Sequence, residues 1–424
     1  MPGRYWIETL GCPKNQVDSD KVAGELLAQG YLPADTAEGA DVVVVNTCAF
    51  IDSAREESVE TILDLSERRR EGARLVVTGC LAARSGAELA AEIPEIDLVA
   101  DLGVPVTLTG GPRFRKSETA TPALDLLELP RPPASAPWAY VKIAEGCDRA
   151  CGFCAIPSFR GPQRSRSAEA VLAEVEALGV PEIVLVAQDL ASWGRDRGGR
   201  AELPALVRAV AERAEWVRLL YLYPSALSDE LLETIVSTGV PYFDLSLQHV
   251  SRPLVRRMRR FGEAGRFLER IERIRRLAPD AALRSSFIFG YPGETEEDQD
   301  ALLAFLEEAQ LDWVGLFPFS PEAGTYALAL EGAVAPELAM ERLRECAELQ
   351  DAITASRRVA LVGAECRVLV DAPGRARTTG EAPEIDGIVR VPEHLPVGAF
   401  AEVRIEAAEG PDLIAAALRH AGPA

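Results

Sequence analysis

Three times before residue 110, an apolar strand-length run ends, a cysteine follows, and a helix-like stretch begins. The runs are RYWIETLGC, DVVVVNTC and ARLVVTGC, closing on Cys12, Cys48 and Cys80. Continuous apolar runs of this kind are the mark of parallel strands buried on both faces. VDSDKVAGELLAQG and SAREESVETILDLSERRR between them carry helical patterns, and the alternation predicts βαβ units around a parallel sheet. Parallel strands end on one side of a sheet, where open α/β folds bind ligands. Cys12, Cys48 and Cys80 are therefore expected to converge. The plain alternative is three unrelated buried cysteines, each acting as a small hydrophobe. Recurrence at the same place in three repeats argues against it.

The α/β domain is expected over residues 1–110, with a proline-rich connection over residues 111–135. Residues 136–354 again alternate strand and helix. The strand candidates are AYVKIAEG, EIVLVAQD, VRLLYLYP, YFDLSLQH, LRSSFIFGYPGE and WVGLFPFSPEAGT. Six such strands predict a full or partial barrel, with chemistry at the carboxyl strand ends. In residues 355–424 the runs CRVLV, IDGIVRV and AFAEVRIEAAEG predict a small antiparallel β-barrel. That segment holds eight arginines, no lysine and ten acidic residues, whereas a nucleic-acid-binding barrel is usually basic.

The composition, 48% hydrophobic and 26% charged, is that of a folded soluble protein. Runs such as Val42–Val45 fall far short of a membrane span, and the opening residues lack a secretory signal pattern. A cytoplasmic location without a membrane partner is expected. Eight cysteines in 424 residues do not make a disulfide scaffold. The net charge of −21 disfavours non-specific nucleic-acid binding and favours a basic partner; solubility alone is the plain alternative.

GCDRACGFCAIPSFRG places Cys147, Cys151 and Cys154 in a Cys-x3-Cys-x2-Cys spacing. A disulfide uses two cysteines and is strained across such short loops. Zinc normally takes four ligands; no fourth stands nearby, and the histidines are His249, His394 and His420, so a distant ligand would be needed. Thiolates hold four-iron clusters, and three of them leave one iron open to a cofactor.

That spacing, with Phe153 before the last cysteine, resembles the signature of radical S-adenosylmethionine enzymes. The resemblance implies a cluster whose open iron chelates S-adenosylmethionine and a 5′-deoxyadenosyl radical as the reactive species. The three-part layout is similar to that of the methylthiotransferases, over nearly the whole chain. This implies a second four-iron cluster on Cys12, Cys48 and Cys80, a TRAM-like terminal barrel, and two clusters facing one cavity. TLGCPKNQVDSD and GCDRACGFCAIPSFRGPQRSR resemble the branch that modifies an aspartate β-carbon in small-subunit ribosomal protein twelve. The transfer-RNA branch, acting on isopentenylated adenosine, typically has Gln-Met-Asn after the first cysteine. The implied partners are a basic ribosomal protein, free or on the ribosome, and a reductant such as flavodoxin or ferredoxin. The reading of another class is a non-enzymatic iron–sulfur or zinc-containing RNA-binding module.

Beside Phe153, the cofactor-contact candidates at strand ends are Gln188, Ser246, Gln248, Gly290 and Gly293. Ala187-Gln188-Asp189 departs from the Gly-Gly-Glu that the superfamily often carries there, and each position has a plain reading as a turn or a satisfied polar group. Cys346 is expected in a helix core, Cys366 in a strand of the last barrel, and His249 in a core, with a place bordering the cofactor cavity as the alternative for His249. The arginines of SRPLVRRMRRFG are expected on a solvated helix face, with steering of an acidic group or RNA as the alternative. Lys14, Asn15 and Gln16 are expected to touch substrate or to shape the loop after Cys12.

Overall fold

The computed structural model describes residues 2–106, 113–115, 125–198 and 202–418. The three apolar runs form β1 (Arg4–Thr9), β3 (Val42–Thr47) and β4 (Arg74–Gly79), joined by the short strands β2 (Leu32–Pro33), β5 (Leu98–Ala100) and β6 (Phe114–Arg115). All pairings are parallel, in the order β2-β1-β3-β4-β5-β6. Every residue of β3 is buried: Val42–Val45 as an apolar run, and Asn46 and Thr47 with their side chains hydrogen-bonded. Helices α1 (Pro13–Ala28), α2 (Asp52–Arg68) and α3 (Cys80–Glu92) cover the sheet. Much of the connecting segment lies outside the described residues. Its end is docked, since Arg131 pairs with Asp20 and donates to the Tyr140 carbonyl at 2.6 Å.

The central segment has six parallel main strands in two sets of three. One set is β7 (Trp138–Lys142), β10 (Glu182–Val186) and β11 (Trp216–Leu219); the other is β12 (Tyr242–Gln248), β13 (Ala282–Phe289) and β14 (Trp313–Pro318). A single bridge, Leu222 to Leu245, joins the sets into a partial barrel. The small ribbon of β8 (Ala144–Glu145) and β9 (Arg164–Ser165) follows β7. The helices are α4 (Ile156–Arg160), α5 (Ala168–Leu178), α6 (Leu203–Ala211), α7 (Asp229–Ser237), α8 (Arg252–Arg257), α9 (Ala264–Leu277), α10 (Glu296–Ala309) and α11 (Pro336–Val359). Thr295 and Asp298 form a reciprocal capping box at the start of α10.

The last five strands are β15 (Glu365–Ala372), β16 (Arg375–Arg377), β17 (Val389–Arg390), β18 (Phe400–Glu409) and β19 (Asp412–Ala417). They close into a barrel that is antiparallel except for the β17–β19 pair.

Strand alternation separates the two faces of the partial barrel. Val141, Ile183, Leu185, Val217 and Phe243 pack with the helices in the main core. Tyr140, Val184, Trp216, Tyr242 and Trp313 form a second core with Ala382 and Leu369 of the terminal barrel and Val17 of α1. The inner face is thus covered by the flanking domains. The segment 378–387 supplies much of the lower cover: Thr379 O accepts from Arg218, Gly380 O from Trp313 Nε1, and Asp386 from the Tyr242 hydroxyl.

Candidate active site

Cys12 immediately precedes α1, Cys48 follows β3, and Cys80 opens α3. β1, β3 and β4 are neighbours, so their ends are spaced by ~4.8 Å and the three cysteines leave a stretch of about 10 Å. Gly11, at φ +92°, shows how tight the site is: a Cβ there would stand 2.9 Å from Cys48 Sγ. Asn15 knits the strand ends, its amide donating to the Leu10 carbonyl at 2.8 Å and the Thr47 carbonyl at 3.0 Å. Ser58 Oγ accepts from the Cys48 N–H at 3.1 Å.

The second set lies on the loop after β8. Gly146, at φ +77°, turns the chain into Cys147, where a Cβ would meet the Pro162 carbonyl oxygen at 2.2 Å. The loop is pinned by Cys147 N–H to Gly161 O (3.1 Å), Gly152 N–H to Met258 O (2.8 Å) and Cys154 N–H to Cys151 O (3.2 Å). The Arg149 N–H donates to Cys147 Sγ at 3.4 Å, and Arg260 Nη1 to Cys151 Sγ at 3.2 Å.

Burial pushes Cys48 and Cys147 up to about 11 and Cys154 up to about 12, and it raises Cys80 against the pull of Arg160. At Cys12 burial is outweighed by Lys14, the Asn15 N–H and Arg160, which together hold the thiol below its ordinary value. Iron removes a thiol proton outright on binding. Two groups of three thiols, each with a guanidinium on one sulfur, are a donor set that fits iron–sulfur ligation.

One side chain links the elements that carry the two sets. Arg160 lies six positions after Cys154, and its guanidinium donates to Cys80 Sγ at 2.9 Å and to Asn15 Oδ1 at 2.8 Å. The same guanidinium pairs with Asp18 at 2.9 Å and Glu145 at 3.0 Å, while Lys142 pairs with both carboxylates. This buried quartet joins α1 to the partial barrel. The segment after β11 touches both sets. Lys14 Nζ sits 3.4 Å from the Tyr221 ring centroid, and the Tyr223 ring is flanked by Arg149 (4.1 Å) and Arg260 (4.2 Å). Tyr221 holds φ +64°, fixed by its N–H to Asp244 Oδ2 at 2.9 Å; non-glycine strain of this kind gathers at functional sites.

The other expected contacts fall into two groups. Gln188 donates to Glu145 Oε1 at 2.8 Å, and Gln248, at φ +71°, ends β12 beside a register shift. The Ser246 carbonyl accepts from Arg260. Gln188 and Ser246 border the cysteine loop, through Glu145 and Arg260. Phe153 packs with Leu254, Met258 and Tyr291. The close approach that Gly290 permits here is to Ala339, and Gly293 donates to the Gly332 carbonyl at 2.6 Å. Cys346 is buried in the main core, Cys366 packs in the terminal barrel, and His249 is buried. The arginine run is not simply a solvated face, because Arg260 turns in to Cys151 and Arg257 donates to the Glu331 carbonyl at 2.5 Å. Arg149, Arg160, Tyr221 and Tyr223 carried no distinguishing mark in the sequence; only the cysteine-loop neighbourhood of the first two pointed to them.

Three sequence families match in succession. An uncharacterized protein family, UPF0004, covers residues 4–101, the radical SAM superfamily residues 141–306, and the TRAM domain residues 362–418. The chain is 43% identical to a protein of Moorella thermoacetica named ribosomal protein uS12 methylthiotransferase RimO, over 95% of this chain and 96% of that one. It is 40% identical to a protein of the same name from Desulfitobacterium hafniense, over 96% and 97%. The chain belongs to the radical S-adenosylmethionine methylthiotransferases, in the ribosomal-protein branch. Membership of a radical SAM methylthiotransferase family implies a four-iron cluster and S-adenosylmethionine. Among the described residues no helix is long and apolar enough to cross a membrane.

Proposed function

We propose that this methylthiotransferase acts on the β-carbon of an aspartate in ribosomal protein uS12, with one cluster on Cys147, Cys151 and Cys154 and a second on Cys12, Cys48 and Cys80. The observation that carries this reading is the hydrogen bond from Arg160, beside the radical loop, to Cys80 of the first set. That contact links the loop of one cysteine set to a cysteine of the other and so supports a shared reaction space. The names of the relatives point to uS12 as the protein substrate.

When bound, the cofactors supply a carbon-centred radical and a methylated sulfur, chemistry that no side chain offers. The chain's own residues position and shield. Arg149 and Arg260 flank Tyr223 and wall the radical loop. Lys14 is the cation suited to the substrate carboxylate. Among the described residues no carboxylate forms an ion pair with it, and it stands at the Cys12 loop over Tyr221. The chain has four lysines against 41 arginines. Of the described lysines, Lys21 and Lys142 are consumed in buried ion pairs.

The test is anaerobic turnover with uS12 and S-adenosylmethionine. Wild type should give deoxyadenosine and a methylthio mass increment on one aspartate. Cys151→Ala should lose both, and Cys48→Ala should keep deoxyadenosine while losing methylthiolation. Modification of transfer RNA in place of uS12 would overturn the substrate assignment.

A further inference from the structure

The buried quartet of Asp18, Lys142, Glu145 and Arg160 balances to zero charge. Lys142 and Arg160 are 1% and 2% exposed at the side chain, and Asp18 is 3% exposed. A pair of ions between packed domains gains stability only when its hydrogen bonds are nearly complete. The carboxylates are well supplied here: Gln188 adds a bond to Glu145 Oε1, and so does the Gly146 N–H at 3.2 Å. One guanidinium edge is left over from the pairing. Arg160 Nη1 serves Asp18 and Glu145, while Nη2 serves Asn15 Oδ1 and Cys80 Sγ. A planar fork held on one side by two carboxylates has a fixed direction on the other. The sulfur is a directed recipient of that fork.

We propose that Arg160 is a positioning residue for the N-terminal iron–sulfur site: its N–H···S bond to Cys80 raises the reduction potential of that cluster and locks it in register with the radical loop. This rests on the two-cluster reading above. The physical cause is simple. Reduction adds negative charge to a cluster, and hydrogen bonds and positive charge at its sulfurs favour the reduced form. Among the described residues, the other thiols of the set are served by backbone N–H groups, Cys12 by Asn15 and Lys14 and Cys48 by Phe50, and neither takes a guanidinium hydrogen bond. Cys48 is served at its backbone by Ser58, and Lys14 lies on the Tyr221 ring. The other end of the lever is the short helix α4, seated directly after Cys154, so displacement of the radical loop is felt at Cys80 through one side chain.

Full-length protein carrying Cys147→Ala, Cys151→Ala and Cys154→Ala, reconstituted anaerobically, isolates the N-terminal site. Its iron and sulfide content, its redox titration followed by electron paramagnetic resonance, and its nitrogen couplings after 15N-arginine labelling are the readouts. With Arg160 intact, the reduced cluster should show a 15N coupling. Arg160→Met with Glu145→Gln keeps the quartet neutral, and should retain four iron per chain, lose the coupling and shift the potential to more negative values. Arg160→Lys, which keeps charge but not the fork, should fall between. An absent 15N coupling with Arg160 intact, or an unchanged potential in variants that retain the cluster, would overturn the proposal while leaving two clusters standing. No cluster at all in the Arg160-intact protein would overturn the two-cluster reading itself. The coupling measurement needs no variant at Arg160, so the absence of a coupling overturns the proposal even if the charge changes prevent folding.

Discussion

At the scale of single residues, His249 offers a clean measurement. Its ring is buried, and Nδ1 accepts from the Ser251 N–H at 3.1 Å. Burial, opposed by Asp298 and aided by Arg342, pushes the imidazole down to about 4. The unfolded chain takes up that proton near 6.5. Between those values the unfolded state binds more protons, so stability rises with pH across the window and is lost as pH falls through it, by about 3 kcal/mol at most. With three histidines in the chain, histidine-selective NMR with His249→Gln as the assignment variant should find one ring titrating near 4. A midpoint near 6.5 for that ring would contradict its burial. Lys14 is tested by kinetics. A charge-assisted contact contributes about 1.5–3 kcal/mol, so Lys14→Ala should raise KM for uS12 roughly 10- to 100-fold. Deoxyadenosine release without the protein substrate should be unchanged, and an equal loss in both assays would mean that Lys14 shapes the loop instead. Both residues were visible in the sequence, but their partners were not. Lys14 and Tyr221 are far apart in the chain, and no periodicity links a loop lysine to a particular strand end.

At the scale of elements, the strand-to-cysteine turns decide whether a site can form. Cys12 follows a glycine held at positive φ, where a side chain costs about 1–2 kcal/mol from backbone strain alone. Gly11→Ala adds a collision, because the new methyl would lie 2.9 Å from Cys48 Sγ. The variant is expected to fold, since β1 and β3 keep their pairing, and to bind about half the iron of wild type when reconstituted, at four iron per cluster. Full iron occupancy would show that the three cysteines do not hold a cluster together. These elements were legible because the physics is local: a strand buried on both faces is apolar through its middle, as Val42–Val45 and Leu75–Val77 are. The short strands β2, β5 and β6 were not, since two or three residues carry no period. The SRPLVRRMRRFG run departs in part from the solvated-face reading, because α8 ends at Arg257 and Arg260, beyond the helix, reaches Cys151 through a tertiary contact.

At the scale of the whole molecule, the terminal barrel is not a mere appendage, because it helps to cover the inner face of the partial barrel. In the sequence, TTGEAPEIDG at residues 378–387 reads as a polar turn. In the fold it packs against the inner face of the partial barrel, with Ala382 fully buried beside Tyr140, Tyr242 and Trp313. The join is charged and buried. Glu182, at the start of β10, lies between Arg218 at 2.8 Å and Arg377 of β16 at 2.7 Å, and Arg358 reaches Glu381 at 2.5 Å. Arg377 also pairs with Asp371 at 2.6 Å. Removing one partner from a buried ion pair typically costs 3–5 kcal/mol, because the other charge is stranded away from water. Arg377→Met should therefore lower stability by about 3 kcal/mol, Arg218 still serving Glu182. The loss should appear as one earlier, still cooperative urea transition of the radical domain and the terminal barrel together. A barrel tethered only for substrate capture would behave differently: its transition would separate from that of the radical domain, and the midpoint of the radical domain would not move. Urea denaturation followed at Trp313, whose indole donates to Gly380 O across the join at 2.8 Å, reads the join directly. To isolate its signal, Trp6, Trp138, Trp193 and Trp216 are replaced by phenylalanine in both proteins under comparison. An unshifted Trp313 transition in Arg377→Met would mean that the domains fold as independent bodies and that the inner face does not depend on its lower cover.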